Sequence, residues 1–348
     1  MNAAPHPVYP CHTRFSPVFV LGHARSGTSL VCRLLLDHLG VNFGTESQFI
    51  VRYHQKLSRY GDLSDDSRLR WLLDDISRER FFARTRRNFG FLFDVERAVR
   101  TVSPRTYSGV LRAIFEQFAV DQGHVRWGDK TPDYCHHLPV IRGIFPDAQF
   151  LHVVRDGRDV AQSLFTTGFG PKNAYEAAVA WRKTLDEVRR FRDTLPEGAF
   201  AEIGYEELVN DPVGTLGGVA RFLGIENGSD VIESAAPRLR AQVRSGSLCK
   251  WKQSLSSREI ECFEAFAGQE LTSLGYSLQF RPRMARRSAV ESVLWKGQAV
   301  IRRVTNRRYW ADNWYKLGLR ARDVASPLRA LARPRAREVW PAAQRPAK

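Results

Sequence analysis

Cysteine is scarce and unpaired in spacing, and apolar residues never run long. The 348-residue chain has five cysteines, Cys11, Cys32, Cys135, Cys249 and Cys262, and no CxxC pair. An odd count without paired spacing argues for reduced thiols and against a zinc site. No uninterrupted apolar stretch approaches the ~18 residues of a membrane span. Residues 1–16 are polar and broken by prolines, with no signal-type apolar segment. Together these absences predict a cytoplasmic protein. Acidic residues are also thin at one end. From Arg281 to Lys348 there are 18 Lys/Arg against four acids, a net of +14, while the preceding 280 residues carry only +2 of the total +16.

What is present starts with the apolar run Pro17-Val18-Phe19-Val20-Leu21, which reads as a short buried strand. The loop Gly22-His23-Ala24-Arg25-Ser26-Gly27-Thr28-Ser29 follows, and Leu30–Leu39 then has helical apolar spacing and a stop at Gly40. A strand, a small-residue loop and a helix start make an anion cradle, because backbone N–H groups and the helix N-terminus both favour negative charge. The spacing resembles the nucleotide loop GxxxxGK[ST]. However, Thr28 stands where that motif needs lysine, and the cation lies three places back at Arg25. No acidic pair suited to Mg²⁺ accompanies the phosphate loops, so no metal is expected. A P-loop-type kinase or other nucleotide-phosphate transferase is the alternative reading; it would require the missing lysine and a metal-binding carboxylate.

Strand patterns alternate with helical ones: Val125–Gly128, Ala148–Val154 followed by Gly157–Phe165, and Ala199–Ile203 followed by a helix around Pro212–Leu223. The stretch Leu57–Phe118 is mostly helical in pattern. This predicts an α/β fold: a P-loop-like parallel sheet flanked by helices on both faces, with a helical cover. The helical run Glu259–Leu274 closes at Gly275-Tyr276, so residues 1–280 are read as the catalytic domain and 281–348 as a basic, Trp/Arg-rich extension. Ligands in such folds bind at the carboxyl ends of strands, where Arg25 and Arg155 both fall.

Three segments, in order, resemble the motifs of sulfotransferases that use 3′-phosphoadenylyl sulfate (PAPS). Gly22–Ser29 is similar to their 5′-phosphosulfate loop. Phe150-Leu151-His152-Val153-Val154-Arg155, with Ser163 eight residues beyond the arginine, is similar to their 3′-phosphate motif. Arg244-Ser245-Gly246-Ser247-Leu248-Cys249-Lys250-Trp251-Lys252 resembles their late RKGxxGxWK segment, with Ser245 and Cys249 as departures. Asp129-Lys130-Thr131-Pro132 and Gly44-Thr45-Glu46-Ser47 look most like the tyrosylprotein and Golgi carbohydrate type.

The resemblance implies sulfuryl transfer from PAPS, by an in-line path, to an acceptor hydroxyl on protein tyrosine, carbohydrate, lipid or a small alcohol. Ser26, Gly27, Thr28 and Ser29 would hold the phosphosulfate, with Arg25 and Lys130 neutralising the leaving oxygen. Arg155 offers a planar fork to the 3′-phosphate, with Ser163 as second donor and Arg244, Ser245 and Gly246 nearby. Tyr205 matches a tyrosine beside the nucleotide, and core packing would account for it equally well. Glu46 matches the general base. Arg52 matches an arginine that meets acidic acceptors. His136-His137 is read as neither metal site nor base, since adjacent histidines diverge and no further ligand stands at metal spacing. For the extension, Trp295, Trp310, Trp314 and Trp340 interleaved with arginine suit peripheral contact with anionic membrane better than nucleic acid, with a solvated basic tail as the bland alternative.

Overall fold

The computed structural model of the chain describes residues 16–243 and 248–280 and the single positions Trp295, Gly297, Gln298 and Thr305. Arg244, Ser245 and Gly246 lie outside the described residues, as does most of the basic extension.

The run 17–21 forms β1 (Val18–Leu21), and the loop after it opens α1 (Thr28–Leu39). That helix ends where Gly40 takes φ 65°, a left-handed stop that glycine adopts without penalty. After β2 (Val41–Phe43) the chain leaves the sheet for the helical cover: α2 (Ile50–His54), α3 (Asp66–Ser77), α4 (Arg80–Phe89), α5 (Val95–Thr101) and α6 (Tyr107–Asp121). It returns as β3 (Arg126–Asp129), α7 (Leu138–Ile144), β4 (Gln149–Val154), α8 (Gly157–Phe165), α9 (Ala174–Arg192) and β5 (Phe200–Gly204). The remaining helices are α10 (Tyr205–Asn210), α11 (Pro212–Phe222), α12 (Gly228–Ser234), α13 (Ala236–Gln242), α14 (Trp251–Ser254) and α15 (Ser257–Ser273).

The five strands form one parallel sheet in the order β2-β3-β1-β4-β5. The fold is therefore the α/β arrangement that the sequence predicts. Alternation along each strand divides two cores. Phe19, Leu21 and Phe150 face the cover, where Trp127 stacks on Phe115 with centroids 4.5 Å apart. Val18, Val20, Leu151, Val153 and Ile203 face α1 and α11 through Val31, Leu34, Leu216 and Val219. Both faces of the sheet are thus dry, as a parallel sheet requires. A third cluster, around Trp181 and Phe263, seats α8 against α9 and α15. Trp295 also meets the body here: Asn173 Nδ2 donates to its carbonyl at 2.6 Å, and the Arg258 guanidinium lies 5.6 Å from its ring.

Candidate active site

Every strand delivers one of the sequence-predicted residues just beyond its carboxyl end: Arg25 after β1, Glu46 after β2, Lys130 after β3, Arg155 after β4 and Tyr205 after β5. Parallel pairing causes this, because all five carboxyl ends open on the same edge of the sheet.

The loop after β1 is built as an anion cradle. Ser26 N–H donates to His23 O at 3.0 Å and closes the turn. Arg25 (φ 77°) and Gly27 (φ 94°) both take left-handed backbone. Gly27 is the N-cap of α1, and no side chain caps that end. By contrast, Asp65, Asp94, Thr106, Asn173 and Ser256 cap the starts of α3, α5, α6, α9 and α15. The first-turn N–H groups of α1 therefore keep their affinity for an anion. Glycine is required at position 27 for a second reason. A Cβ there would stand 2.2 Å from Cδ2 of Tyr205, whose ring lies against the loop.

Arg155 is held from three sides. Its Nη1 donates to Arg25 O at 3.2 Å, its guanidinium carbon lies 4.3 Å from the Tyr205 ring centroid, and its Nη2 is 3.7 Å from Asp159 Oδ2. Arg25 Nε donates to Ser163 Oγ at 2.8 Å, so the two expected phosphate grips touch. Tyr205 is buried, and it serves as both packing and platform.

On the other side of the loop, Lys130 Nζ pairs with Glu46 Oε1 at 2.7 Å, and Gln48 Nε2 donates to Glu46 Oε2 at 3.3 Å. The half-buried pair stands over Asp129, whose carboxyl burial pushes up to about 6. Arg52 Nη2 pairs with Glu79 Oε2 at 2.5 Å within the cover. His136 bonds Glu187 on α9, and burial, reinforced by the nearby His136, holds the His23 imidazole below its ordinary value.

The sequence offers Asp156 and Asp159 only as ion-pair partners of Arg155; their further bonds are not legible in it. Asp159, 1% exposed, accepts the backbone N–H of Cys249 and of Trp251, each at 2.9 Å, and so ties the third motif to the helix that follows Arg155. Arg158 bonds Asp156 and Glu264 and stacks 3.9 Å from the Trp251 ring centroid. The signal was Asp156 straight after Arg155, a helix-capping residue, with Asp159 in the first turn of the helix it opens.

The profile of the sulfotransferase family matches residues 17–229. The chain belongs to the sulfotransferase family. Among curated relatives, this sulfotransferase is 26% identical over 269 residues to omega-hydroxy-beta-dihydromenaquinone-9 sulfotransferase Stf3 of Mycobacterium bovis, which covers 64% of this chain and 66% of that protein. It is 22% identical over 299 residues to protein-tyrosine sulfotransferase A of Caenorhabditis elegans, covering 78% of this chain and 70% of the relative. The chain thus spans slightly less than two thirds of the Mycobacterium protein's length. The sulfotransferase domain from the curacin biosynthetic pathway shares the fold, with a TM-score of 0.50 at 18% identity over 76% of this chain and 99% of that one. Among the described residues no helix is long and apolar enough to cross a membrane.

Proposed function

We propose that this sulfotransferase moves a sulfuryl group from PAPS to an acceptor hydroxyl. The observation that carries the reading is the contact of two anion grips, an uncapped helix N-terminus with Arg25 and the Arg155–Ser163 motif, joined at 2.8 Å between Arg25 Nε and Ser163 Oγ. One molecule with both a 5′-phosphosulfate and a 3′-phosphate fits this arrangement. In the reaction the acceptor oxygen bonds sulfur while the sulfur–oxygen bond to the 5′-phosphate breaks, releasing 3′,5′-bisphosphoadenosine. The acceptor proton goes to Glu46. Arg25, Lys130 and the loop amides neutralise the leaving phosphate oxygen, a task for positioned charge rather than covalent chemistry. No step needs a metal. Arg244, Ser245 and Gly246 complete the 3′-phosphate grip in this reading, which the tie from Asp159 to Cys249 and Trp251 supports.

The acceptor is a hydroxyl on protein tyrosine, carbohydrate, lipid or a small alcohol. A negatively charged acceptor is in keeping with the basic cover helix α4, where buried Thr85 meets the Thr45 hydroxyl next to Glu46 and Arg86 and Arg87 are exposed. The division into a catalytic domain (1–280) and a basic extension (281–348) belongs to the same reading. So does a cytoplasmic setting with the extension drawn to anionic membrane; the free thiols of Cys32, Cys135, Cys249 and Cys262 support a reducing compartment.

Calorimetry with 3′,5′-bisphosphoadenosine in the absence of Mg²⁺ tests the donor site. Arg155→Ala should weaken binding about ten- to a hundredfold, the worth of charge-assisted contacts. Unchanged affinity overturns the assignment. Glu46→Gln should keep that affinity and lower turnover about 10²–10⁴-fold; turnover within a few-fold of the parent removes Glu46 as the base.

A further inference from the structure

Two consecutive residues at the end of β3 face two consecutive residues of the loop after β2. Lys130 Nζ meets Glu46 Oε1 at 2.7 Å, and Asp129 Oδ2 accepts the Ser47 N–H at 3.3 Å. Thr131 Oγ1 shares that N–H at 3.1 Å. Ser47 Oγ lies 2.8 Å from Tyr134 OH, and Tyr134 OH accepts the Ile50 N–H at 3.1 Å, so the loop is fixed as far as the start of α2. Between these anchors Gln48 sits at φ 55°, a conformation that the surroundings must enforce on a non-glycine residue.

We propose that Asp129 is a positioning residue: its ionised carboxylate clamps the loop carrying Glu46 to the strand end carrying Lys130. The proposal rests on the sulfuryl-transfer reading of that pair. Asp129 is 3% exposed, and its Oδ1 has no partner among the described residues. Such a carboxylate is costly to bury and is replaceable in a site that needs only packing. The two backbone and side-chain donors it meets on the Glu46 loop and beside it point to a task for the charge. The groups facing it are Glu46 from the loop after β2, Lys130 just after β3, the Cys32 thiol from α1 and the Tyr134 phenol from the turn after β3. Burial and Glu46 raise its carboxyl to about 6, while Thr131, Ser47 and Lys130 pull the other way. The clamp therefore loosens as pH falls through that value, and Glu46 loses its fixed place beside Lys130.

The test follows the Ser47 amide proton of the full chain by NMR as pH is varied, with turnover and 3′,5′-bisphosphoadenosine affinity measured in parallel. In the parent protein the Ser47 shift should titrate with a midpoint near 6. Asp129→Asn mimics the uncharged form and does not titrate, so the midpoint should vanish and turnover at neutral pH should fall to the level the parent shows on the acid side. Asp129→Ala should lower kcat about 10²-fold through misplacement of Glu46, with nucleotide affinity within twofold. A flat Ser47 titration in the parent overturns the proposal, as does a midpoint that survives in Asp129→Asn. Should the Asp129 variants fail to fold, Thr131→Val serves instead. It removes a hydrogen bond from the carboxylate, so the midpoint must rise, and an unmoved midpoint is equally fatal. Glu46→Gln separates the two readings: preserved turnover refutes the base, while the Ser47 titration reports on the clamp alone.

Discussion

Gly27→Ala tests the donor site through packing rather than charge. An added Cβ would lie 2.2 Å from Cδ2 and 2.5 Å from Cε2 of Tyr205, at a backbone φ of 94°. Ordinary contact is 3.4 Å or more, so the ring must move by over an ångström. Tyr205 supports Arg155, whose guanidinium carbon is 4.3 Å from the ring centroid, so the displacement passes directly to the 3′-phosphate grip. Two costs arise. Left-handed backbone costs an alanine about 1–2 kcal/mol of folding stability wherever the ring goes, and loss of the cation–π platform costs about 0.5–2 kcal/mol of binding. Calorimetry on Gly27→Ala should show affinity for 3′,5′-bisphosphoadenosine reduced about two- to thirtyfold. Tyr205→Ala alone should cost only the platform. In the double variant the clash is absent, so the two losses should fall short of additive by about 1 kcal/mol, as expected of residues in contact. Additive losses would refute the reasoning, since they would mean that the loop and the ring act independently.

Asp159→Ala should weaken the same nucleotide about tenfold or more, because it frees the N–H groups of Cys249 and Trp251 and removes the carboxylate beside Arg155; calorimetry checks it. Gly157→Ala places a Cβ 2.6 Å from Phe263 Cζ and from Trp181 Cδ2, and the overpacking should cost about 1–3 kcal/mol in a denaturant melt. The full chain should co-sediment with phosphatidylserine vesicles at low salt and release as salt rises, while a chain ending at Phe280 should not, given about 1 kcal/mol per basic residue near the surface. Equal behaviour of the two refutes the membrane reading.

The parts of the fold legible in sequence are those punctuated locally. Gly22 closes a strand, Gly27 opens a helix and Gly40 ends it, and the structure places β1 just before Gly22 and α1 between Gly27 and Gly40. The segment Gly157–Phe165 is a helix with the bounds its spacing predicts. The sequence pattern starts β3 at Val125, yet that residue is 61% exposed and the strand starts at Arg126, since one apolar residue cannot say where pairing begins. Helix α9 carries a local signature in the sequence, since Asn173 caps it by accepting the N–H of Glu176. Strand order was not legible at all, because the β2–β3 and β1–β4 pairings join segments over eighty residues apart and no local pattern encodes a partner. The same holds in the site. Arg25, Arg155 and Glu46 were visible as residue types in motifs. The Asp129–Ser47 and Asp159–Trp251 bonds were not, because each depends on the sheet having formed.

Asp129 shows why such supports can be recognised from energetics once the fold is known. Its folded carboxyl stands near 6 against an ordinary value of 3.8, so the native state binds a proton that the unfolded chain releases. With the folded value raised, the stabilising contribution is fully present below about pH 4 and is lost as pH rises through 6. At neutral pH the ionised group therefore destabilises the protein, by about 3 kcal/mol at 1.36 kcal/mol per unit. Asn at this position has nearly the same shape and no such cost. Chemical denaturation should accordingly find Asp129→Asn more stable than the parent at pH 8, with the advantage shrinking below pH 6 and absent near pH 4. A variant that is uniformly less stable across this range would show that the carboxylate is held for packing. The expected crossing, stability gained where catalysis is lost, is the mark of a charge kept for what it does to the loop beside it.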